Sequence, residues 1–151
     1  MEKFSDRKIH AIQLKSIMVR ELTFKRFKAI QGTIETCCKI LNGTAKHASD
    51  SDIIKTGIKC ECIGGTEEDP FFTLTVDLLG DFQIDQGRFP IEKIENWQEE
   101  NAPFIMLPYL REQVYSLSIK GGIQPIVLPM YEIPTTRSNR EKIEKANEEK
   151  G

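Results

Sequence analysis

The sequence predicts an α+β domain in which a four-stranded antiparallel sheet is followed by helices packed on one of its faces. Two observations carry this prediction. Between residues 12 and 84, several runs alternate apolar and polar residues, which is the period-two pattern of half-buried strands. Between residues 90 and 120, apolar residues recur every three or four positions, as they do on a helix. Strands followed by helices favour a sheet with one helical layer.

The first strand is predicted over residues 12 to 27. Most of its large apolar residues share one parity, but two lie on the other, which indicates a bulge or two partly covered faces. The first set is Ile12, Leu14, Met18, Leu22 and Phe24, and the second is Ile17 and Val19. The strand ends on Lys25, Arg26 and Lys28, for which a solvated strand end is the simplest interpretation.

Residues 29 to 51 carry a weaker pattern. Ile34, Cys38 and Ile40 alternate loosely, and the pair Asn42 and Gly43 is typical of a turn. A short edge strand and an irregular segment both fit.

Two clearer runs predict the centre of the sheet. Residues 52 to 63 place apolar side chains on one face and charged ones on the other, and residues 72 to 78 alternate in the same way. A turn rich in glycine and acids, residues 64 to 70, joins them as an antiparallel pair. Gly80 and Asp81 predict a break, after which Phe82 and Ile84 suggest a short fourth strand of a meander.

The helical layer is predicted in two parts. Residues 90 to 100 carry Ile91, Ile94 and Trp97 at three-residue steps, which fits a helical turn or two with Trp97 as a packing residue. A longer helix follows, with Asn101 as its N-cap, Pro103 in its first turn and a kink or ragged start at Pro108. Its predicted buried face is Phe104, Leu107, Leu110, Val114 and Leu117. Gly121 and Gly122 predict its end.

An apolar segment held extended by prolines follows this helix. Its apolar residues are Ile123, Ile126, Val127, Leu128, Met130 and Tyr131, and its prolines are Pro125, Pro129 and Pro134. Such a segment is either buried by a neighbouring element or forms the wall of a site for apolar ligands. We therefore predict a domain over residues 1–134 and a charged tail over residues 135–151, which is mobile or helical.

Composition excludes several classes of protein. A net charge of -2 argues against a general nucleic-acid binder, which would carry a basic field. The sequence has no apolar run of the length that a signal peptide or a membrane span needs, which predicts a cytosolic protein that does not insert into membranes. No catalytic constellation and no phosphate-binding glycine loop stand out, so we expect no enzyme and no cofactor.

The four cysteines leave a choice between disulfides, a metal site and plain thiols. Cys37 and Cys38 are adjacent, and Cys60 and Cys62 are spaced as neighbours on one face of a strand, whereas zinc sites more often use longer gaps. We expect small buried or half-buried thiols in a reducing compartment and no metal.

The stretch from Pro103 to Pro129 resembles the most recognisable part of the bacterial protein-export chaperone SecB. The matching positions are Pro103, Leu107, Pro108, Tyr109, Arg111, Glu112, Gly121 and Pro125, followed by the apolar run to Pro129. A weaker resemblance extends over residues 12 to 134. SecB usually has a more apolar second helix after the loop, and residues 137 to 151 depart from that pattern.

The resemblance implies a holding chaperone that works without ATP or a cofactor. It implies a homotetramer, formed as a dimer of dimers, that holds unfolded preproteins in apolar grooves and hands them to the export motor SecA. The client-binding residues would be Ile123, Ile126, Val127, Leu128, Met130, Tyr131, Cys38 and Ile40. An apolar outer face of the long helix agrees with self-association, with Ile105, Tyr109, Tyr115 and Ile119 as its members.

The same resemblance implies that SecA contacts acidic residues on the exposed face of the sheet, which by position are Glu21, Glu67 and Glu68. Lys25 stands where another acid is expected, and its charge would weaken a contact with a basic partner. SecB-like proteins can also be dedicated chaperones of the antitoxin in a toxin-antitoxin pair, and Lys25 and the charged tail favour this alternative slightly. An oligomeric adaptor with the same fold and a fully buried loop is the alternative from another class.

Overall fold

The computed structural model describes residues 8–45, 47–48 and 51–129. Within these residues, four strands come first, followed by a 3-10 turn and two helices. They are β1 (Ile12–Arg26), β2 (Thr36–Thr44), β3 (Ile53–Gly65), β4 (Pro70–Ile84), the 3-10 turn Ile91–Lys93, α1 (Ile94–Glu100) and α2 (Ala102–Lys120). The predicted α+β class is confirmed. Met130, Tyr131 and the predicted tail 135–151 lie outside the described residues.

The sheet has the order β1-β4-β3-β2, and every neighbouring pair is antiparallel. Strands β2, β3 and β4 form a meander, whereas β1 pairs with β4 at the opposite edge, so the prediction of a simple four-stranded meander is wrong. The other edge of the sheet is β2. Of the two alternatives that the sequence left open for residues 29 to 51, the edge strand is therefore confirmed.

The predicted break at Gly80 and Asp81 is also wrong, because β4 runs through both residues to Ile84. A Cβ atom at Gly80 would lie 2.8 Å from Sδ of Met106, so this glycine gives α2 room to pack closely on the strand. On the other face Asp81 accepts a hydrogen bond from Nζ of Lys55 at 3.0 Å. Glycine here marks a close approach within a continuous strand.

Strand β1 contains the irregularity that its sequence indicated. Its pairing with β4 shifts register twice, between Leu14 and Ser16 and between Val19 and Glu21. Between the two shifts, Val19 is paired with the buried residue Leu78, whose face it therefore shares. The bulged alternative is confirmed, and Met18 is turned away from the core with 55% of its surface exposed.

Helix α2 packs on β3 and β4 and covers the centre of the sheet. Its line of buried residues is Met106, Leu110, Val114 and Ser118, at steps of four. Leu110 and Val114 were predicted, whereas Phe104, Leu107 and Leu117 are only half-buried at its flank. The buried face is thus rotated from the predicted one toward Met106 and Ser118.

The end of α2 was predicted correctly, whereas the N-cap at its start was not. Asn101 makes no side-chain cap to α2, because α1 runs directly into it and Nδ2 of Asn101 donates to the carbonyl oxygen of Trp97 at 3.3 Å. The helix continues through Pro108, which is exposed. Its end is as predicted, since Gly122 has a φ of 72°. Among the described residues, no helix is long and apolar enough to span a membrane.

Helix α1 is attached to the sheet by two neighbouring side chains. Trp97 packs edge-on against Phe82, with ring centroids 5.5 Å apart, which confirms its predicted packing role. The buried amide of Gln98 donates from Nε2 to the carbonyl oxygen of Lys55 at 2.8 Å. These contacts hold the start of the helical layer against β3 and β4.

Candidate functional site

A groove of about 410 Å³ lies beside the covered centre of the sheet, between β2 and the segment that follows α2. One wall is the loop from residue 123 to residue 129, which we call the apolar loop. The other wall and the floor are Ile30, Gly32, Ile34, Thr36, Cys38 and Phe72. The groove is therefore lined mainly by aliphatic and aromatic side chains, with Thr36, Cys38 and Gln124 as its polar or sulfur-bearing members.

Ser118 fastens the apolar loop to α2. Its buried hydroxyl accepts a hydrogen bond from the backbone N–H of Ile126 at 3.0 Å and donates to the carbonyl oxygen of Tyr115 at 2.7 Å. The backbone N–H of Ile123 donates to the carbonyl oxygen of Ser118 at 3.2 Å. A short hydroxyl side chain on the buried line of α2 thus fixes the position of the loop. The sequence pattern gave no indication of this role, because the helical period marks apolar positions only.

Leu128 and Val127 are neighbours with opposite surroundings. Leu128 is 1% exposed and belongs to the core, whereas Val127 is 66% exposed. Both line the groove, and both also line a shallower depression together with Pro108, Arg111, Glu112 and Tyr115. Leu128 therefore anchors the loop, and Val127 is an apolar side chain held out between two concave surfaces.

The predicted wall residues are only partly brought together. Ile123, Ile126, Val127, Leu128 and Cys38 line the groove, whereas Ile40, one pleat further along β2, is half-buried against the core and is not among the lining residues. Ile30 and Ile34 were not predicted as lining residues. Their signal was present, since the period-two pattern that reaches Cys38 already starts at Ile30.

Phe72 forms part of the floor and is fixed by an aromatic contact. Its ring stacks on that of Phe24 with centroids 5.6 Å apart. A Cβ atom at Gly64 would lie 2.2 Å from the Phe72 ring, and one at Gly121 would lie 2.5 Å from the Phe24 ring. These two glycines therefore make room for the aromatic pair below the groove.

The cysteines differ from the expectation of plain thiols. Cys38 and Cys62 are directly opposite in the pairing of β2 with β3 and form a disulfide, while Cys60 is a buried thiol and Cys37 an exposed one. Burial, and to a lesser degree the charge of Glu61, raises the pKa of Cys60 to about 11. A thiol with so high a pKa is a poor nucleophile at neutral pH, which disfavours cysteine-based catalysis here.

The acidic residues predicted to contact SecA are exposed but do not form one patch. Glu21 lies beside Asp77 of β4, whereas Glu67 and Glu68 are in the turn before Pro70. Seven residues of extended strand separate the two places, which is about 23 Å at about 3.3 Å per residue.

The outer face between these acids also carries bases. Nζ of Lys59 lies 2.9 Å from Glu61, and Nη2 of Arg20 lies 2.8 Å from Asp77. The hydrogen bond from Lys59 and then its charge lower the pKa of Glu61. The outer face of the sheet is thus mixed in charge.

Comparison with known proteins identifies the architecture. A SecB-like chaperone of Mycobacterium tuberculosis, solved with a ChAD peptide from the HigA1 antitoxin, superposes with a TM-score of 0.68 over 83% of this chain and 94% of that one, at 15% identity. The fold is therefore SecB-like, as the resemblance over residues 103 to 129 predicted. A protein of unknown function from Streptococcus agalactiae gives a TM-score of 0.40 at 13% identity, over 79% of this chain and 97% of that one.

No family model matches the chain. An uncharacterized protein of Methanocaldococcus jannaschii is 27% identical over 77 residues, which are 51% of this chain and 48% of that protein. The chain thus spans about half the length of the curated relative that it matches.

Proposed function

We propose that this protein is a holding chaperone that binds unfolded polypeptide segments in the groove without using ATP. The observation that carries the proposal is the apolar loop, in which Val127 is two-thirds exposed although Leu128 fixes the loop to the core and Ser118 fixes it to α2. An apolar side chain held rigidly beside a groove suits a flexible apolar chain, because the site loses little conformational entropy when the chain binds.

The size of the groove supports binding through several sites at once. A volume of about 410 Å³ accommodates a few side chains, so one groove holds only a short part of an unfolded chain. Several grooves on one oligomer raise the apparent affinity through multivalency without requiring a specific sequence. We propose that this binding takes place in the cytoplasm, as the resemblance to SecB implies.

Exposed apolar side chains support the oligomer that such binding needs. They lie on the outer face of α2 and at the bulged part of β1, and they are Ile105, Tyr109, Tyr115, Ile119, Val19 and Leu22. A second copy of the chain would cover them, and a homotetramer formed as a dimer of dimers is the assembly that we propose.

Two kinds of client follow from the proposal. Delivery of preproteins to SecA would use Glu21, Glu67 and Glu68, but Lys25 lies on β1 between Glu21 and the turn, where a positive charge opposes a basic partner. A dedicated partner, such as an antitoxin, is the second candidate. It is favoured by the solved SecB-like chaperone, which is in complex with an antitoxin peptide.

Fluorescence anisotropy of a labelled, reduced and unfolded polypeptide, titrated with the full chain, tests whether the groove is the binding site. Val127→Asp should weaken binding at least about tenfold, which corresponds to about 1.4 kcal/mol. Ile91→Asp is the matched control, because Ile91 is also exposed but lies before α1, away from the lining residues. Equal affinities of the two variants would exclude the apolar loop as the site, and a wild-type protein that ignores the unfolded chain would exclude the chaperone.

The two kinds of client are separated by light scattering of the eluted complex. A tetramer that takes up unrelated unfolded preproteins and binds SecA would support export. A tetramer that binds one partner tightly and unrelated chains weakly would support the dedicated chaperone. A Lys25→Glu variant also separates the two kinds of client, since it should strengthen SecA binding and leave client binding unchanged.

A further inference from the structure

Three sulfur atoms meet at the boundary between the core and the groove. The Sγ atoms of Cys38, Cys60 and Cys62 all lie within 4.8 Å of one another. The strand register explains this, because Cys38 is opposite Cys62 and Cys60 is one pleat away on the same face of β3. Cys60 Sγ lies 3.5 Å from Cys62 Sγ. The disulfide uses two of these atoms, and the third is already in place beside them.

The chemistry of the cluster narrows what it can bind. Within the described ranges, no histidine, aspartate or glutamate ligand atom joins these three sulfurs. Thiolate ligands select soft metals, chiefly Cu(I), zinc and iron-sulfur clusters. Zinc in structural sites and iron-sulfur clusters take four protein ligands, whereas Cu(I) is satisfied by two or three thiolates. We propose that Cys38, Cys60 and Cys62 form, in the reduced protein, a three-sulfur binding site for Cu(I).

The position of the site agrees with a soft ion of this kind. Cys60 and Cys62 are buried, so water is kept from the ion, whereas Cys38 is half-buried and lines the groove, through which the ion can enter.

Metal binding requires the disulfide to be opened first. A phosphine or dithiol reductant supplies two electrons, the S–S bond breaks, and Cys38 and Cys62 each take up a proton. Cu(I) then replaces thiol protons, which pass to the buffer. Disulfide and metal therefore exclude each other, and bound Cu(I) should slow reoxidation of Cys38 and Cys62 by oxygen-free oxidised glutathione.

The test is an anaerobic titration of the full chain, reduced with a phosphine that is then removed. Cu(I) is offered in competition with a chromophoric Cu(I) chelator. The wild-type protein should take one Cu(I) per chain, and its X-ray absorption should show sulfur-only coordination. Cys60→Ser should lower the affinity at least tenfold. Cys37→Ser is the matched control and should leave the affinity unchanged, because Cys37 is exposed and lies outside the cluster.

Three results would overturn the inference. One is equal Cu(I) affinity of Cys60→Ser and Cys37→Ser, and another is Zn(II) bound more tightly than Cu(I) in parallel competitions. The third is a reduced wild-type protein that takes up no Cu(I). Circular dichroism shows whether Cys60→Ser is folded, and if it is not, Cys38→Ser replaces it at the half-buried position. The outcome does not depend on client binding, so the chaperone proposal and this inference stand or fall separately.

Discussion

One sheet face carries two kinds of cover, a helix over β3 and β4 and a loop beside β2. Helix α2 satisfies its own backbone hydrogen bonds and presents a buried side chain at every fourth position, from Met106 to Ser118. The apolar loop depends on Ser118 for two of its hydrogen bonds and places only Leu128 fully in the core. A regular element therefore closes the surface, and an extended one leaves a groove.

The strands beneath show the same contrast. Cys60 and Cys62 of β3 are buried, whereas Cys38 and Ile40, which occupy equivalent pleats of β2, are half-buried. All four share the core face. Alternation fixes which face a side chain occupies, and the cover above that face determines how far it is buried. A binding surface can therefore arise where a core face extends beyond its helix.

The largest change in the free energy of unfolding is expected at one of two neighbours in the loop, Leu128 and Val127. Leu128→Ala should lower the free energy of unfolding by about 2–5 kcal/mol, because it leaves a cavity in the core. Val127→Ala should change it by no more than about 0.5 kcal/mol, since its side chain is mostly in solvent. Urea denaturation at a fixed protein concentration measures both. Equal losses would mean that Val127 is covered in the native protein, and the distinction between anchor and exposed wall would be lost.

The second effect concerns how firmly β2 is held. Reduction of the Cys38–Cys62 disulfide in metal-free buffer should cost about 2–4 kcal/mol, because the bond closes a loop with a sequence separation of 24 in the unfolded chain. Denaturation with and without a phosphine reductant measures the change. A Cys38→Ser variant should start at the reduced value and ignore the reductant, whereas a reductant effect that persists in this variant would have another origin.

The third prediction concerns the hydrogen bond between Ser118 and the apolar loop. Ser118→Ala leaves the N–H of Ile126 without its acceptor, which should cost about 1–2 kcal/mol and speed hydrogen exchange of that amide. Ser116→Ala, in the same helix but half-buried, serves as the control. Unchanged exchange at Ile126 would show that the hydroxyl of Ser118 does not hold the loop in place.

Much of the fold follows from local patterns in the sequence. The alternation in β3 and β4 predicts their shared buried face, and the mixed parity of β1 predicts a bulge, because side chains on a strand follow a strict period of two. The glycine pair after Lys120 predicts the end of α2 for an equally local reason.

The features that sequence patterns missed all depend on contacts between distant elements. In the sequence Gly80 indicates a break in the strand, but in the structure it makes room for Met106. Ser118 interrupts the apolar pattern of α2, and only its hydrogen bond to the loop explains why a polar residue is buried there. The convergence of Cys38 with Cys60 and Cys62 depends on the register of β2, which no local pattern of that strand fixes. The groove shares this dependence, since its two walls come from segments about 90 positions apart in the chain, near Ile34 and Val127.

The smallest expected effect lies on the opposite face of the sheet, where charged residues take the place of a helix or a loop. Arg20 extends from β1 to Asp77 of β4 and lies over Gly57 of β3, where a Cβ atom would be 2.5 Å from its Nη2. Arg20→Ala should cost less than about 1 kcal/mol, because exposed ion pairs contribute little. The part of the loss that is due to charge should disappear in about 1 M salt, where the screening length is about 3 Å, while the part due to packing over Gly57 should remain. Denaturation in low and high salt measures the two parts. A loss as large as that of Leu128→Ala would mean that the outer face contributes to stability as a core face does, and the contrast between the two faces would fail.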